Sequence, residues 1–190
     1  MLKKIIITSG LLAACTFMSA HAAAQSYFGG SVGRAKWDLD CTKTVTCQTA
    51  AASAKLFGGY DINTHFAVEG SYIYLNKVTA NRVTLVKEEY NGRGFDIAGV
   101  AKTSSYNNFV GFAKLGLAFM KGEVQVNTPY AYGSANNYSS QPLAGAGVTY
   151  NIDKKVKVRA EIDYRKVKVT GYVDTTYGVT NFSVGIQSEF

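Results

Sequence analysis

The sequence predicts an all-β chain: an eight-stranded antiparallel transmembrane β-barrel with short turns at one end and long loops at the other. Three observations predict it. Apolar and polar residues alternate with period two in eight segments. The connections between those segments alternate between short and long. The composition is rich in Gly (19) and Tyr (13) and poor in Pro (2) over 190 residues. Charged residues make up 17%, against roughly 25% in soluble proteins. With 47% hydrophobic residues, an intrinsically disordered chain is excluded. Beyond the N-terminus no apolar run approaches the ~18 residues of a membrane helix, which excludes a helical membrane protein.

Residues 1–22 read as an export signal. Lys3 and Lys4 give a positive start, residues 5–18 are mostly apolar, and Ala20-His21-Ala22 places small residues where a signal peptidase cuts. Cleavage is expected after Ala22, with Ala24 as the alternative. Leu12-Ala13-Ala14-Cys15 resembles a lipobox, which would instead leave a lipidated Cys15 as the N-terminus. Residues 23–190 form the expected barrel domain. They keep Cys41 and Cys47, and an exported chain matures in an oxidising compartment, so these two are expected to form a disulfide. Metal binding is the weaker reading, since no His or third Cys lies nearby.

The first strand, 26–37, sets Phe28, Gly30 and Val32 on one face. Segment 53–62 alternates Ala54, Leu56, Gly58, Tyr60 and Ile62 with Lys55, Phe57, Gly59 and Asp61. Segment 66–75 sets Phe66, Val68, Gly70, Tyr72 and Tyr74 against Glu69 and Ser71. In 93–102, Phe95, Ile97, Gly99 and Ala101 oppose Asp96. In 109–121, Phe109, Ala113, Leu115, Leu117 and Phe119 oppose Lys114. In 142–152, Ala144, Ala146, Val148, Tyr150 and Ile152 oppose Gly145, Gly147 and Asn151. The seventh strand is the cleanest: Val156, Val158, Ala160, Ile162 and Tyr164 alternate with Lys157, Arg159, Glu161, Asp163 and Arg165. Only a strand puts all five charges on one face. The eighth runs from Thr180 through Phe182, Val184 and Ile186 to Phe190. Each segment is long enough for the ~9–11 residues of a tilted membrane crossing.

The short connections lie at 63–65, 105–107 and 153–155. The long ones are 38–52, 76–92, 122–141 and 167–178. This is the layout of a bacterial outer-membrane barrel, with periplasmic turns and extracellular loops. A soluble lipocalin-like barrel would hide the apolar face instead. Aromatics at the ends of that face argue for lipid outside: Tyr60, Phe66, Phe109, Tyr150 and Phe190 on the short-turn side, and Tyr74, Phe119 and Tyr164 on the other, make two girdles. The Ala and Gly between them are poor filling for a ligand cavity.

Five motifs carry a resemblance. Tyr27-Phe28-Gly29-Gly30-Ser31-Val32-Gly33, Lys55-Leu56-Phe57-Gly58-Gly59-Tyr60, Phe66-Ala67-Val68-Glu69-Gly70, Lys114-Leu115-Gly116-Leu117-Ala118 and the terminal Phe resemble the OmpA-like small outer-membrane barrel family, over nearly all of the exported chain. The resemblance implies that the barrel-assembly machinery reads the last strand, and it assigns that role to Gly185, Ile186 and Phe190. Ser188 departs from the family pattern, which usually has a second aromatic there. No peptidoglycan-binding domain is expected after the barrel.

The inward charges are the most function-like feature. Lys55, Lys114, Lys157, Arg159 and Arg165 face Asp61, Glu69, Asp96, Glu161, Asp163 and Glu189. An eight-stranded barrel has room only for side chains, so these charges are expected to pair in a filled lumen. A narrow pore for small solutes is the alternative, although selective channels usually carry rings of one sign. Gly29, Ser31 and Gly33 match G-x-S-x-G, but no helix pattern follows. His65 falls in a periplasmic turn, the wrong side for a lipid A-modifying enzyme. An enzyme is therefore not expected, and no cofactor is. The loops hold Lys77, Arg82, Lys87, Glu88 and Glu89, then Tyr130, Tyr132, Asn136, Asn137 and Tyr138, residue types suited to adaptable recognition. The expected protein is a monomeric outer-membrane barrel with a structural or surface-interaction role in adhesion or envelope integrity. Its expected partners are outer-membrane lipid, lipopolysaccharide and a host or cell-surface ligand. Nucleic acid is not among them.

Overall fold

The computed structural model describes residues 25–41, 46–83, 86–127, 132–170 and 174–190, with only the backbone of 81–83, 86, 170 and 174. The export signal and the lipobox at Cys15 lie outside the described residues. Nine strands follow in order: β1 Ser26–Trp37, β2 Thr46–Gln48, β3 Ala50–Asp61, β4 Phe66–Val83, β5 Val86–Lys102, β6 Phe109–Asn127, β7 Tyr132–Asn151, β8 Val156–Thr170 and β9 Asp174–Glu189. Eight of them pair antiparallel with their neighbours and close through β1 and β9. The three-residue β2 continues the line of β3 along β4.

The register fixes the shape. From Lys155, whose carbonyl accepts the Glu189 N–H, the row of partners runs through Tyr27, Gly59, Glu69, Ala98, Gly116 and Leu143. It returns to β8 at Arg165, ten residues further on. Such stagger in an eight-stranded barrel demands strands tilted by roughly 35–45° and leaves an interior that side chains fill.

The periplasmic turns are built from local polar chemistry. Asn63 Oδ1 accepts from the His65 and Phe66 amides, both at 2.8 Å, an Asx turn. Asn107 (φ 48°) and Asn108 (φ 68°) adopt the left-handed conformation before β6, which Asn tolerates better than most residues.

The long connections depart from the sequence expectation. Residues 76–92, 122–141 and 167–178 are mostly not irregular loops. They continue the strands as hairpins, with ladders reaching Val83↔Val86, Asn127↔Tyr132 and Thr170↔Asp174. Beyond the bilayer the outer face meets water, so the membrane-span alternation ends there while backbone pairing goes on. The pattern inverts at that point. On β8, Ile162 and Tyr164 face out among lipid, and Lys166 follows on the same face; Asp163 and Arg165 face in, followed by buried Val167 and Val169. On β6, the outward Leu117 and Phe119 give way to Lys121, while Met120 and Val124 are buried inside. On β4 a bulge between Leu75 and Val78 resets the parity, so that both side chains point inward.

Candidate functional site

The interior has three layers. At the periplasmic end Tyr27, Phe57, Ala67, Val100 and Phe112 form an apolar ring. The charges occupy the middle. Above them, Trp37, Ile73, Leu75, Val78, Met120, Leu143, Val167 and Val179 form a dry core that closes the barrel toward the outside. The hairpin of β8 and β9 leans across it: a side chain at Gly122 of β6 would run into the Lys168 carbonyl and the Val167 and Val169 methyls.

The middle layer joins four cations and four anions. Arg159 holds Glu69 with both terminal nitrogens, at 2.6 and 3.0 Å. Its Nε and Nη2 reach Glu161 at 3.0 and 2.8 Å. Its guanidinium stacks between the rings of Phe57 (4.4 Å) and Phe112 (4.3 Å). Lys114 bridges Asp163 at 2.8 Å, Glu161 at 3.2 Å and Glu69 at 3.6 Å. Lys55 pairs with Glu161 and, at 3.1 Å, with Asp163. Arg165 joins Asp96 at 2.8 Å and Asp163 at 3.2 Å. All eight are at most 3% exposed, and their formal charge sums to zero, so the layer leaves no excess charge to concentrate ions.

Three of the charges singled out in the sequence stand apart. Lys157 pairs with Glu189 at the periplasmic end, and Asp61 pairs with Lys102 at 2.6 Å on the same rim. Three further polar residues join the layer: Ser71, which alternation places on the same face as Glu69, donates to Asp96 at 3.1 Å, while Tyr27 donates to Glu69 at 3.0 Å and Ser183 to Glu161 at 3.3 Å. Ser and Tyr sit on either face of a strand, so their type alone does not mark Tyr27 or Ser183 as members of the layer. Below the layer a cavity of about 20 Å³ lies among Tyr27, Phe112, Lys157 and Arg159, room for about one water. Among the described residues no three His, Cys, Asp or Glu side chains form a metal-binding group.

Outside, on the hairpins, charges pair in a different setting. Glu89 takes Lys87 at 2.7 Å and Lys77 at 3.0 Å, and those hydrogen bonds hold its carboxyl below the usual range. Glu123 takes Lys121 at 2.7 Å and shifts down for the same reason. Burial, reinforced by its bond to Glu88, pushes the Tyr90 phenol up. Cys41 and Cys47 are disulfide-bonded at the outer end.

The sequence pattern of the OmpA-like transmembrane domain matches residues 21–187. The chain belongs to that family. No curated protein matches it in sequence. Solved structures share its fold. Ail, the attachment invasion locus protein of Yersinia pestis, solved with the heparin analogue sucrose octasulfate, aligns with TM-score 0.59 and 15% identity over 88% of this chain and 99% of its own. Neisserial surface protein A aligns with TM-score 0.61 and 15% identity over 87% and 97%. The N-terminal barrel of Pseudomonas aeruginosa OprF aligns with 0.55 and 12% over 87% and 97%. This OmpA-like barrel is thus an outer-membrane protein.

The remaining sequence candidates occupy distinct places in the OmpA-like barrel. Gly185 lies on β9 between Ser31 and Arg159, where a side chain would collide with the Gly30 carbonyl and Ser31. Ile186 and Phe190 are exposed on the outer face, and the Phe190 amide donates to the Ser26 carbonyl at 3.0 Å. Ser31 is buried in the wall beside Ser183, whereas His65 is exposed in its turn beside Thr64 and Ser104. The G-x-S-x-G match and the His are not brought together.

Proposed function

We propose that this barrel is a structural and surface-interaction protein of the outer membrane, a filled stalk that presents hairpins to the exterior. The observation that carries the reading is the continuous apolar core running from Leu75 and Met120 up to Val124, Val169 and Tyr177. It closes the barrel and packs the hairpins from within. A closed interior suits presentation of a surface, and a solute path would require that core to open. The outer faces carry exposed Tyr132 and Tyr138 amid Ser and Asn, side chains that give large contact area at low entropy cost. The complex of Ail with the heparin analogue sucrose octasulfate supports ligand binding by a barrel of this fold. Lipopolysaccharide around the stalk, a host or cell-surface ligand on the hairpins and the assembly machinery at β9 are the partners of this reading.

The test compares bacteria displaying the wild-type chain, the variant Tyr132→Ser/Tyr138→Ser, or no barrel, on surfaces coated with matrix protein or sulfated polysaccharide. Wild-type cells should adhere better than barrel-free cells on one of these, and the variant should lose most of the difference. Equal adherence of all three on both surfaces refutes the reading. Steady conductance of the purified barrel in planar bilayers would favour the narrow pore.

A further inference from the structure

We propose that the outer edge of β7 accepts an extended polypeptide segment of a partner protein as an added antiparallel strand. This site depends on the surface-interaction reading above and gives its partner a chemistry. β7 and β8 share a ladder only from Asn151↔Lys157 to Leu143↔Arg165. Beyond it both strands continue, β7 along β6 to Tyr132 and β8 along β9 to Thr170, but not with each other. Pro142 ends their ladder. Asn151 donates its N–H toward β6, to the Asn108 carbonyl at 2.9 Å. Along the regular β6–β7 ladder the odd residues of β7 therefore bond to β6, and the even ones face β8. The next donor after Ala144 would be Pro142, which has no N–H. β8 departs at that point, and its hairpin leans over β6 with the Lys168 carbonyl against Gly122.

β7 is left with an open edge over 132–140. The main-chain N–H and C=O groups of Ser134, Asn136, Tyr138 and Ser140 point along it, and among the described residues no strand pairs with them. Proteins normally blunt such an edge with Lys, Pro, a bulge or a covering segment. The opposite border of the same protruding sheet is covered: β2 pairs with residues 79–81 of β4, and its Cys47 is tied to Cys41. The β7 edge has none of these devices. Residues 132–141 carry no charge and no Pro, and their register along β6 runs without a bulge. Ser134, Asn136 and Tyr138 are exposed. Tyr138 stands opposite Lys121, where β6 leaves the bilayer, so the edge beyond it is open to water. Main-chain donors and acceptors repeated at every second residue along one line match another polypeptide backbone, and neither a sugar nor a lipid.

The experiment follows amide hydrogen exchange by NMR on the full barrel in lipid nanodiscs. Without a partner, the Ser134, Asn136 and Tyr138 amides should exchange at least about tenfold faster than those of Ala135, Asn137 and Ser139, which bond to β6. Equal protection of the two sets means that the edge is already covered and overturns the site. The probe is a soluble peptide of alternating Thr and Val, ended by one Lys and one Glu. It should slow the edge amides, and its analogue N-methylated at every residue, which offers no main-chain donor, should not. Edge amides left fast by the peptide, or slowed as well by the analogue, overturn strand addition. Asn136→Pro/Tyr138→Pro removes two edge donors and spares the bonds to β6; it should weaken peptide binding at least about tenfold. Asn136→Ala/Tyr138→Ala keeps both donors and should bind more tightly than the proline variant. An equal loss in both assigns the contact to side chains and overturns the proposal. The amide measurements use wild type alone, so a proline variant that fails to fold leaves the proposal open to refutation. The surface-interaction reading fails in the adherence of whole cells and this site in the amides of the purified barrel, so the two failures are distinguishable.

Discussion

Replacing Glu161 with Gln tests whether the middle layer is dry. The carboxylate receives Lys114 at 3.2 Å, Arg159 at 3.0 and 2.8 Å, Ser183 at 3.3 Å, and Lys55. Gln keeps the shape, removes the charge and leaves four buried cations facing three carboxylates. Breaking one partner of a buried, hydrogen-bonded set costs about 3–5 kcal/mol, because the other charge stays buried and uncompensated. Glu161 is 2% exposed and Lys114 is 2% exposed, so the full range applies, where an exposed pair would give ~0–1 kcal/mol. Removing a cation as well restores the balance. Glu161→Gln/Lys114→Met should therefore recover at least half of the loss, a coupling that additivity would not give. The assay is reversible urea unfolding from lipid vesicles, followed by tryptophan fluorescence. A single-variant loss under ~1 kcal/mol, or a double variant no better than the sum of its parts, would mean that water screens the layer, and the plugged-stalk argument would fall with it.

Other outcomes follow from the same geometry. Ala160→Arg puts a charge on the lipid face of β8 and should cost about 2–4 kcal/mol if it lies near the bilayer midplane; the cost should change between bilayers of two thicknesses, and a lipid-independent cost would contradict the outward assignment. Tyr90 donates to Glu88 at 2.7 Å and its phenol is raised by burial. Its contribution to stability is then complete below the unfolded value of about 10 and fades as pH rises through the folded one. In an alkaline absorbance titration Tyr90→Phe should remove a late-ionising phenol, and loss of one that titrates near pH 10 would be the wrong result. Deleting Phe190 should lower the amount of heat-modifiable barrel in outer membranes, and unchanged levels would remove it from the assembly signal. Cys41→Ser/Cys47→Ser should leave barrel unfolding nearly unchanged, since the bridge closes a short ring at sequence separation 6, far from the middle layer.

Most of the membrane span was legible because lipid and lumen impose opposite demands on neighbouring residues. In 156–165 every second residue is charged, and a one-residue slip would place all of those charges in hydrocarbon. The start of β1 and all three periplasmic turns were legible for the same reason. The outer half was not. There Lys166 and Lys168 share parity with Tyr164, and Val167 and Val169 share parity with Arg165, so the apolar set moves to the other face within one strand. A reading that follows a single face sees the pattern stop and assigns a loop. On β4 the bulge after Leu75 adds a parity change of its own, and no hydrophobic count detects an extra residue. The partners within the middle layer were beyond the sequence altogether: Arg159 meets Glu69 across 90 positions, a pairing set by the stagger of the closed barrel.

The inversion on each strand has a physical consequence for function. An outward residue can be apolar only where it meets lipid, and an inward one can be charged only where partners surround it. The switch from Phe119 to Lys121 on β6, from Phe95 to Arg93 on β5 and from Tyr164 to Lys166 on β8 therefore marks where the chain leaves the bilayer. Above that line the inward Met120, Val124, Val167 and Val169 are buried at 8% exposure or less although water surrounds the hairpins. Burial there comes from the hairpins closing on one another. Opening a water-filled path would expose these side chains, at roughly 1.5–3 kcal/mol for each one fully uncovered. The middle layer would also lose its dry surroundings. A conducting state must meet both demands together, while a surface-presenting state meets neither. That asymmetry favours the structural and surface-interaction role over the pore.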